Sequence, residues 1–147
     1  MSASLETRGI TSALSRIRRV RENAEHPEEG LQRLTEVFED HVEKTFETNG
    51  ASIASPWKPL TKNYAARKGS RTPLVLTGGL RNSFSGGRWH VERVEGSRII
   101  WGTKNPVSNL HQNGSPGRLI PARPFLRITP ELRSDARRVM AVWITKG

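Results

Sequence analysis

The sequence predicts an α+β domain, with helices at the two ends of the chain and a small antiparallel sheet between them. Apolar residues recur every three or four positions in residues 10–46 and again after residue 130, which is the period of a helix. Between residues 88 and 102, apolar and charged residues alternate, which is typical of half-buried strands. The length of 147 residues suits one domain, spanning residues 1–147, with a single core.

The first helix is predicted over residues 10–21. Arginines crowd its polar positions, and its apolar positions are Ile10, Ala13, Leu14, Ile17 and Val20. Pro27 and Gly30 then interrupt the pattern, so residues 22–30 are interpreted as a connection. Residues 1–30 together form a variable N-terminal helical segment.

The second helix is expected to begin at Glu28 or Leu31 and to end at Thr48. Acidic residues occupy most of its surface, and one apolar stripe is formed by Leu31, Leu34, Phe38, Val42 and Phe46. Asn49-Gly50 suits the C-terminus of this helix, where a left-handed residue is needed.

Residues 51–73 lack clear periodicity and predict a long extended loop after the second helix. Trp57 and Leu60 are its expected anchors, with Trp57 packing either on its own core or on a neighbouring subunit. A short helix is expected over Lys62–Lys68. Loops of this length are unusual in compact domains unless they are functional or ordered by a partner.

The sheet is expected in the second half of the chain. Residues 88–95 and Arg98–Gly102 are predicted to pair as a hairpin, and Phe125–Ile128 to add a further strand. Asn113–Gly117 is expected to be a long, mobile turn. Thr129-Pro130-Glu131 opens the last helix, with a capping hydroxyl, a proline and an acid in the first turn.

Charge is divided unevenly along the chain. Residues 1–56 hold 7 Lys/Arg against 10 Asp/Glu, a net −3, whereas residues 57–147 hold 17 against 4, a net +13. Within the first part, residues 22–47 carry 9 acids and 2 bases, a net −7. A strongly basic body repels copies of itself unless acidic surface or a polyanion lies nearby. We therefore expect a charge-complementary partner or DNA, the simpler alternative being a solvated basic surface.

Several classes of protein are excluded or disfavoured. The absence of cysteine rules out disulfides and thiolate metal sites, the longest apolar run is Val139–Ile144, and residues 1–9 lack a signal-peptide pattern. We therefore expect a protein made in the cytoplasm, with no membrane partner. The apolar fraction of 34% predicts a thin core, which an oligomer would complete.

No catalytic, cofactor or metal site is predicted. The four histidines, His26, His41, His90 and His111, show no metal-ligand spacing. The words Thr77-Gly-Gly-Leu80-Arg81 and Ser85-Gly-Gly-Arg88 lack the Gly-Lys-Ser/Thr ending of a phosphate loop, so they are interpreted as turns. Thr77 is expected to cap a short helix that ends at Phe84.

The most informative segment is Ile120–Leu126. Prolines at 121 and 124 keep its backbone extended around Arg123, and Phe125 and Leu126 follow at once as apolar anchors. This combination indicates a contact element. His111 is expected to bond backbone groups at the Asn113-Gly114 turn, with a subunit contact or a hydrolase site as the alternatives.

Four short sequence motifs, which we call sequence words, occur in an order that resembles the phage virion morphogenesis (tail-completion) family. They are Trp57-Lys-Pro-Leu60, Leu76-Thr-Gly-Gly-Leu80-Arg81, His111-Gln-Asn-Gly114 and Ala122-Arg-Pro-Phe-Leu126. The resemblance runs from residue 31 to the C-terminus. It departs from the family at Asn109-Leu110, where an aromatic-alanine pair usually precedes His-Gln. Its motif residues are Leu60, Thr77, Gly78, Leu80, Arg81, His111, Gln112, Gly114, Pro121, Pro124, Phe125 and Leu126.

The resemblance implies helices packed on one face of a curved sheet, and a structural, non-enzymatic role in the virion. It implies a neck ring, expected to be a hexamer, that joins the head-completion connector to the tail terminator or tail tube while the genome passes through. Trp57, Arg118, Arg123 and Arg127 are the candidate subunit or tail-tube contacts. The residues expected near DNA are Lys58, Lys62, Arg67, Lys68 and Arg71. The alternative is a free-standing basic protein that binds nucleic acid.

Overall fold

The computed structural model describes residues 8–75 and 77–146. Seven helices and one hairpin follow each other as α1 (Arg8–Glu25), α2 (Glu28–Gln32), α3 (Leu34–Glu47), α4 (Lys62–Lys68), α5 (Gly79–Asn82), β1 (His90–Glu95), β2 (Arg98–Thr103), α6 (Ser108–Asn113) and α7 (Pro130–Thr145). Short 3-10 helices lie at Ala51–Ile53 and Pro116–Arg118. The predicted α+β class is confirmed.

The hairpin forms as the alternating pattern predicted. Strands β1 and β2 are antiparallel, with His90 opposite Thr103 and Glu95 opposite Arg98. Its inner face meets the helices through Trp101, whose ring centroid is 5.5 Å from that of Phe38 on α3 and 5.5 Å from that of Phe84. Aromatic pairs at this spacing add attraction beyond the area that they bury.

The core lies between α3, the segment after α5, and residues Ile120–Leu126. We call these last residues the proline-braced segment. Its fully buried cluster consists of Val42, Phe46, Trp57, Leu80, Phe84 and Phe125. Phe125 is central, because its ring is 5.8 Å from that of Phe46 and 5.5 Å from that of Phe84. The apolar stripe predicted for the second helix therefore faces the core.

The last helix, α7, begins as the sequence predicts. The Thr129 hydroxyl accepts a hydrogen bond from Leu132 N at 3.1 Å, and Pro130 occupies the first turn. At its other end, the Asn23 amide of α1 donates to the carbonyl oxygens of Trp143 and Ile144, both at 3.2 Å. This contact satisfies carbonyls that a helix C-terminus leaves unpaired and ties α1 to α7.

Close packing at Gly30 brings α2 onto α7. A Cβ at Gly30 would lie 2.6 Å from the Trp143 ring, which is closer than carbon atoms approach without displacement. The glycine that the sequence presents as a helix breaker is thus a contact point inside α2.

Several features differ from those predicted. Phe125–Ile128 is not a strand, because its backbone is held by side-chain hydrogen bonds instead of a neighbouring strand. Helix α1 runs on to Glu25, and the second predicted helix is split by a turn at Arg33. Residues 108–113, which include His111, are helical, and the expected mobile turn contains a bridge between Ser115 and Ile120.

The segment after α3 is more ordered than the predicted long loop. It contains the 3-10 helix Ala51–Ile53 and helix α4, whose predicted bounds Lys62–Lys68 are confirmed. Gly50 makes the chain reversal possible, because its φ is +82° and a Cβ there would lie 2.2 Å from Ser55 O. Trp57 is thereby brought back over α3.

Candidate functional site: a cationic pocket and an exposed helix face

Arg123 lies inside the domain. It is 6% exposed, and its Nε and Nη2 both donate to the carbonyl oxygen of Lys58, at 3.1 and 3.0 Å. Its backbone N–H donates to His111 O at 2.7 Å. The side chain that we expected at a subunit contact is thus turned inward, where it fastens the Lys58 segment to the proline-braced segment.

Trp57 packs on its own core. Its indole Nε1 donates to Pro124 O at 2.7 Å, and its ring centroid is 5.4 Å from that of Phe46. Of the two placements that the sequence left open, the structure of the chain has the internal one. The first and fourth sequence words are therefore joined twice, by Trp57 and by Arg123.

Gln112 bonds backbone groups of the proline-braced segment, whereas backbone bonding at the Asn113-Gly114 turn was predicted for His111. Its Oε1 accepts from Phe125 N at 3.0 Å and from Leu126 N at 3.1 Å, while its Nε2 donates to Leu126 O at 2.8 Å. A side-chain amide can replace a neighbouring strand in this way, because it offers both a donor and an acceptor. His111 differs, since its Nδ1 is buried and lacks a partner among the described residues.

A pocket of about 220 Å³ lies where all four sequence words meet. Leu60, Leu80, His111 and Arg123 each come from a different word, and α4 adds Tyr64 and Lys68. We call the space lined by these six residues the arginine pocket. Thr77 and Gly79 also line it, and the Thr77 hydroxyl accepts from Gly79 N at 3.3 Å. The N-cap of α5 is Gly78, one residue after the predicted Thr77.

The arginine pocket is electropositive. Burial lowers the pKa of His111, Lys68 and Arg123 below their usual ranges. The charge of Arg123 lowers the pKa of His111 and of Lys68 further, and Tyr64 raises the pKa of Arg123 to a smaller extent. No carboxylate is among the described residues that line the pocket. Protonation of any one of these groups is therefore opposed by the positive charge of its neighbours, and no carboxylate in the pocket offsets that repulsion.

The remaining candidates lie at different depths. Arg81 pairs with Glu43 and, at 3.6 Å, with Glu47, so it joins α5 to α3. Phe125 is 1% exposed and is a core residue, whereas Leu126 is 37% exposed and is not. Arg118 and Arg127 are exposed, although Arg127 Nη1 donates to Ile53 O at 3.2 Å.

The basic residues after Trp57 lie within α4 or close to it in the chain. Lys58, Lys62, Arg67 and Arg71 are exposed, as a surface near a polyanion would be. Lys68 is half-buried and donates from Nζ to Thr72 O at 2.6 Å.

Gly114, Pro121 and Pro124 shape the backbone beneath these contacts. Gly114 has φ +73°, and a Cβ there would lie 2.6 Å from Ala122 N. The motif glycine is therefore required for the close approach of the α6 end to the proline-braced segment. Pro121 and Pro124 are half-buried on either side of Arg123.

The apolar face of α1 is exposed, and the sequence did not predict this exposure. Ile10 is 53% exposed, Leu14 52%, Ile17 64% and Val20 38%. The spacing predicted that these residues share one side of a helix, but the spacing does not say whether that side is covered. Contiguous apolar residues on a helix surface commonly mark a protein contact.

Among residues 8–75 and 77–146, no group of three or more His, Cys, Asp or Glu side chains could hold a metal ion. Within the same ranges, no helix has the length and apolarity needed to cross a membrane. Leu76, in the second sequence word, and the first seven residues lie outside the described residues.

The described geometry defines a small α+β protein in which residues of the four sequence words hold the core together. The profile of the phage virion morphogenesis family matches residues 5–144. A protein of Haemophilus influenzae, the Mu-like prophage FluMu G protein 2, is 32% identical over 131 residues, 86% of this chain and 82% of that protein. A search of solved structures gave no significant match. The chain therefore belongs to the phage virion morphogenesis family, and its role is in phage particle structure or assembly.

Proposed function

We propose that this protein is a neck subunit that completes the tail, forming a ring between the head connector and the tail tube. The observation that carries the proposal is the exposed apolar face of α1, defined by Ile10, Leu14, Ile17 and Val20. Helix α1 also carries Arg16, Arg18, Arg19 and Arg21. A basic helix with an uncovered apolar face complements an acidic surface on a neighbouring copy.

Each subunit supplies such an acidic surface. Residues 22–47 carry a net charge of −7. A basic face and an acidic face on one chain favour head-to-tail contacts, which close into a ring when the rotation between neighbours permits. The exposed basic residues Lys58, Lys62, Arg67 and Arg71 would then lie near the passing genome.

The test is the assembly of a double variant, Leu14→Glu with Ile17→Glu, followed by sedimentation and electron microscopy with the neck partners. We expect wild-type rings and a monomeric variant, because charge on the apolar face opposes its burial. The matched control is Ser12→Glu with Ser15→Glu, which adds the same charge on the opposite side of α1. Wild-type chains that stay monomeric in every mixture would refute the ring.

The competing function is nucleic-acid binding by the isolated monomer, favoured by the exposed basic residues after Trp57. It predicts tight duplex binding that weakens steeply with salt. The ring predicts weak binding until assembly. Fluorescence anisotropy with labelled duplex DNA at several salt concentrations separates the two.

A further inference from the structure

The arginine pocket holds positive charge that no described residue neutralises. Arg123 is only 6% exposed, yet it takes part in no ion pair among the described residues. Its two side-chain hydrogen bonds within the described residues go to one carbonyl oxygen, that of Lys58, and use Nε and Nη2. Buried charges in proteins are normally paired with an opposite charge. An anion is therefore the missing partner.

A second observation points to the same missing group. His111 Nδ1 is buried and has no hydrogen-bond partner among residues 8–75 and 77–146. Buried polar atoms are nearly always bonded, so an unpaired ring nitrogen on a residue that lines the same pocket as Arg123 points to a ligand. Lys68 adds a second cationic group, after Arg123, to the same pocket.

The dimensions and walls of the pocket favour a carboxylate carried on a side chain. The volume of about 220 Å³ accommodates a Glu or Asp side chain but not a nucleotide with its sugar. Leu60, Leu74, Leu80 and Val107 line the pocket, and they suit the methylene groups of such a side chain. A guanidinium also matches the planar carboxylate in a forked hydrogen bond.

We propose that the arginine pocket binds a carboxylate side chain of α3 from a second copy of this chain. The inference rests on the proposed ring. Helix α3 is the source because it carries three carboxylates without an ion-pair partner in the described part of the chain, Glu36, Glu39 and Asp40. Each of the other described helices carries at most one. The other two carboxylates of α3, Glu43 and Glu47, are held by Arg81.

Carbodiimide cross-linking of assembled full-length chains tests this contact, because the reagent joins an amine to a carboxylate only when they touch. Equal amounts of ¹⁴N and ¹⁵N chains are mixed before assembly, so that links between copies carry both isotopes. We expect mixed-isotope links from Lys68 to Glu36, Glu39 or Asp40. Lys62, which is exposed at the start of α4, is the internal control for random reaction.

The triple variant Glu36→Gln, Glu39→Gln, Asp40→Asn should reduce the mixed-isotope Lys68 links at least tenfold. The double variant Glu22→Gln, Glu28→Gln should leave them unchanged, because it neutralises acids outside α3. Assembled rings in which Lys68 forms no mixed-isotope link, or links to other segments, would overturn the inference and leave the ring intact. Absence of any assembled species would instead refute the proposed function, and the inference with it.

Discussion

Trp57 and Pro124 are joined by a hydrogen bond of 2.7 Å, from the indole Nε1 to the carbonyl oxygen, across 67 positions of sequence. Two short words that lie far apart in the chain thereby become one structural unit. Arg123 strengthens the same junction through Lys58 O. These contacts of the motif residues stabilise the fold.

Trp57→Phe should destabilise the fold by about 1–3 kcal/mol, because Pro124 O loses its indole donor in a partly buried site. Urea unfolding followed by circular dichroism measures the change. Trp89→Phe is the comparison, since Trp89 is half-buried and stacks on Arg88 at the surface. Equal losses in the two variants would contradict a special role for the indole of Trp57.

Arg123→Met should lower the free energy of unfolding by about 2 kcal/mol, because two hydrogen bonds from a charged donor are lost. Arg118→Met removes an equal charge from an exposed position and should change it by less than about 0.5 kcal/mol. Chemical denaturation of both variants gives the comparison. An unchanged midpoint for Arg123→Met would mean that its contacts to Lys58 contribute nothing to stability.

Gly114→Ala should destabilise the fold more than Gly117→Ala. The first substitution places a Cβ 2.6 Å from Ala122 N at φ +73°, whereas nothing lies within 4 Å at Gly117. We expect a loss above about 1 kcal/mol at Gly114, since a side chain is both strained and crowded there. Thermal unfolding of the two variants decides the point, and a larger effect at Gly117 would be the contrary result.

Acidification should weaken the fold partly through His111. Its pKa is lowered in the folded state by burial and by the charges of Arg123 and Lys68, so the unfolded chain binds a proton more readily. The stability that neutral His111 provides is present above the ordinary histidine pKa and is lost as the pH falls through the lowered one. His111→Asn should therefore show a smaller decrease of stability between pH 7 and pH 5 than wild type. An identical decrease would exclude His111 as its source.

The sequence was sufficient for elements whose signal is local. The apolar stripe of α3, the hairpin, the bounds of α4 and the capped start of α7 each depend on spacing or on a capping residue within a few positions. Such signals act before any tertiary contact forms, so they survive into the folded chain.

The sequence was insufficient where long-range bonds replaced local preference. Phe125 and Leu126 have the pattern of a strand, but their backbone groups bond the side chain of Gln112. From the sequence, Arg123 was likewise interpreted as a contact residue, but in the folded chain its side chain bonds Lys58 O. The four words meet at one pocket because of these long-range contacts. The spacing of residues within the sequence does not predict such contacts.

The attachment of α1 at its C-terminal end gives this helix mechanical leverage. Asn23 is hydrogen-bonded to the end of α7. The part of α1 between Asn23 and Arg8 is about 20 Å long, at 1.5 Å per residue. A rotation of about 10° at Asn23 would move the residues near Arg8 by roughly 3–4 Å, on that length. Such an arm could follow small changes in the spacing of neighbours while the aromatic centre of the molecule stays undisturbed.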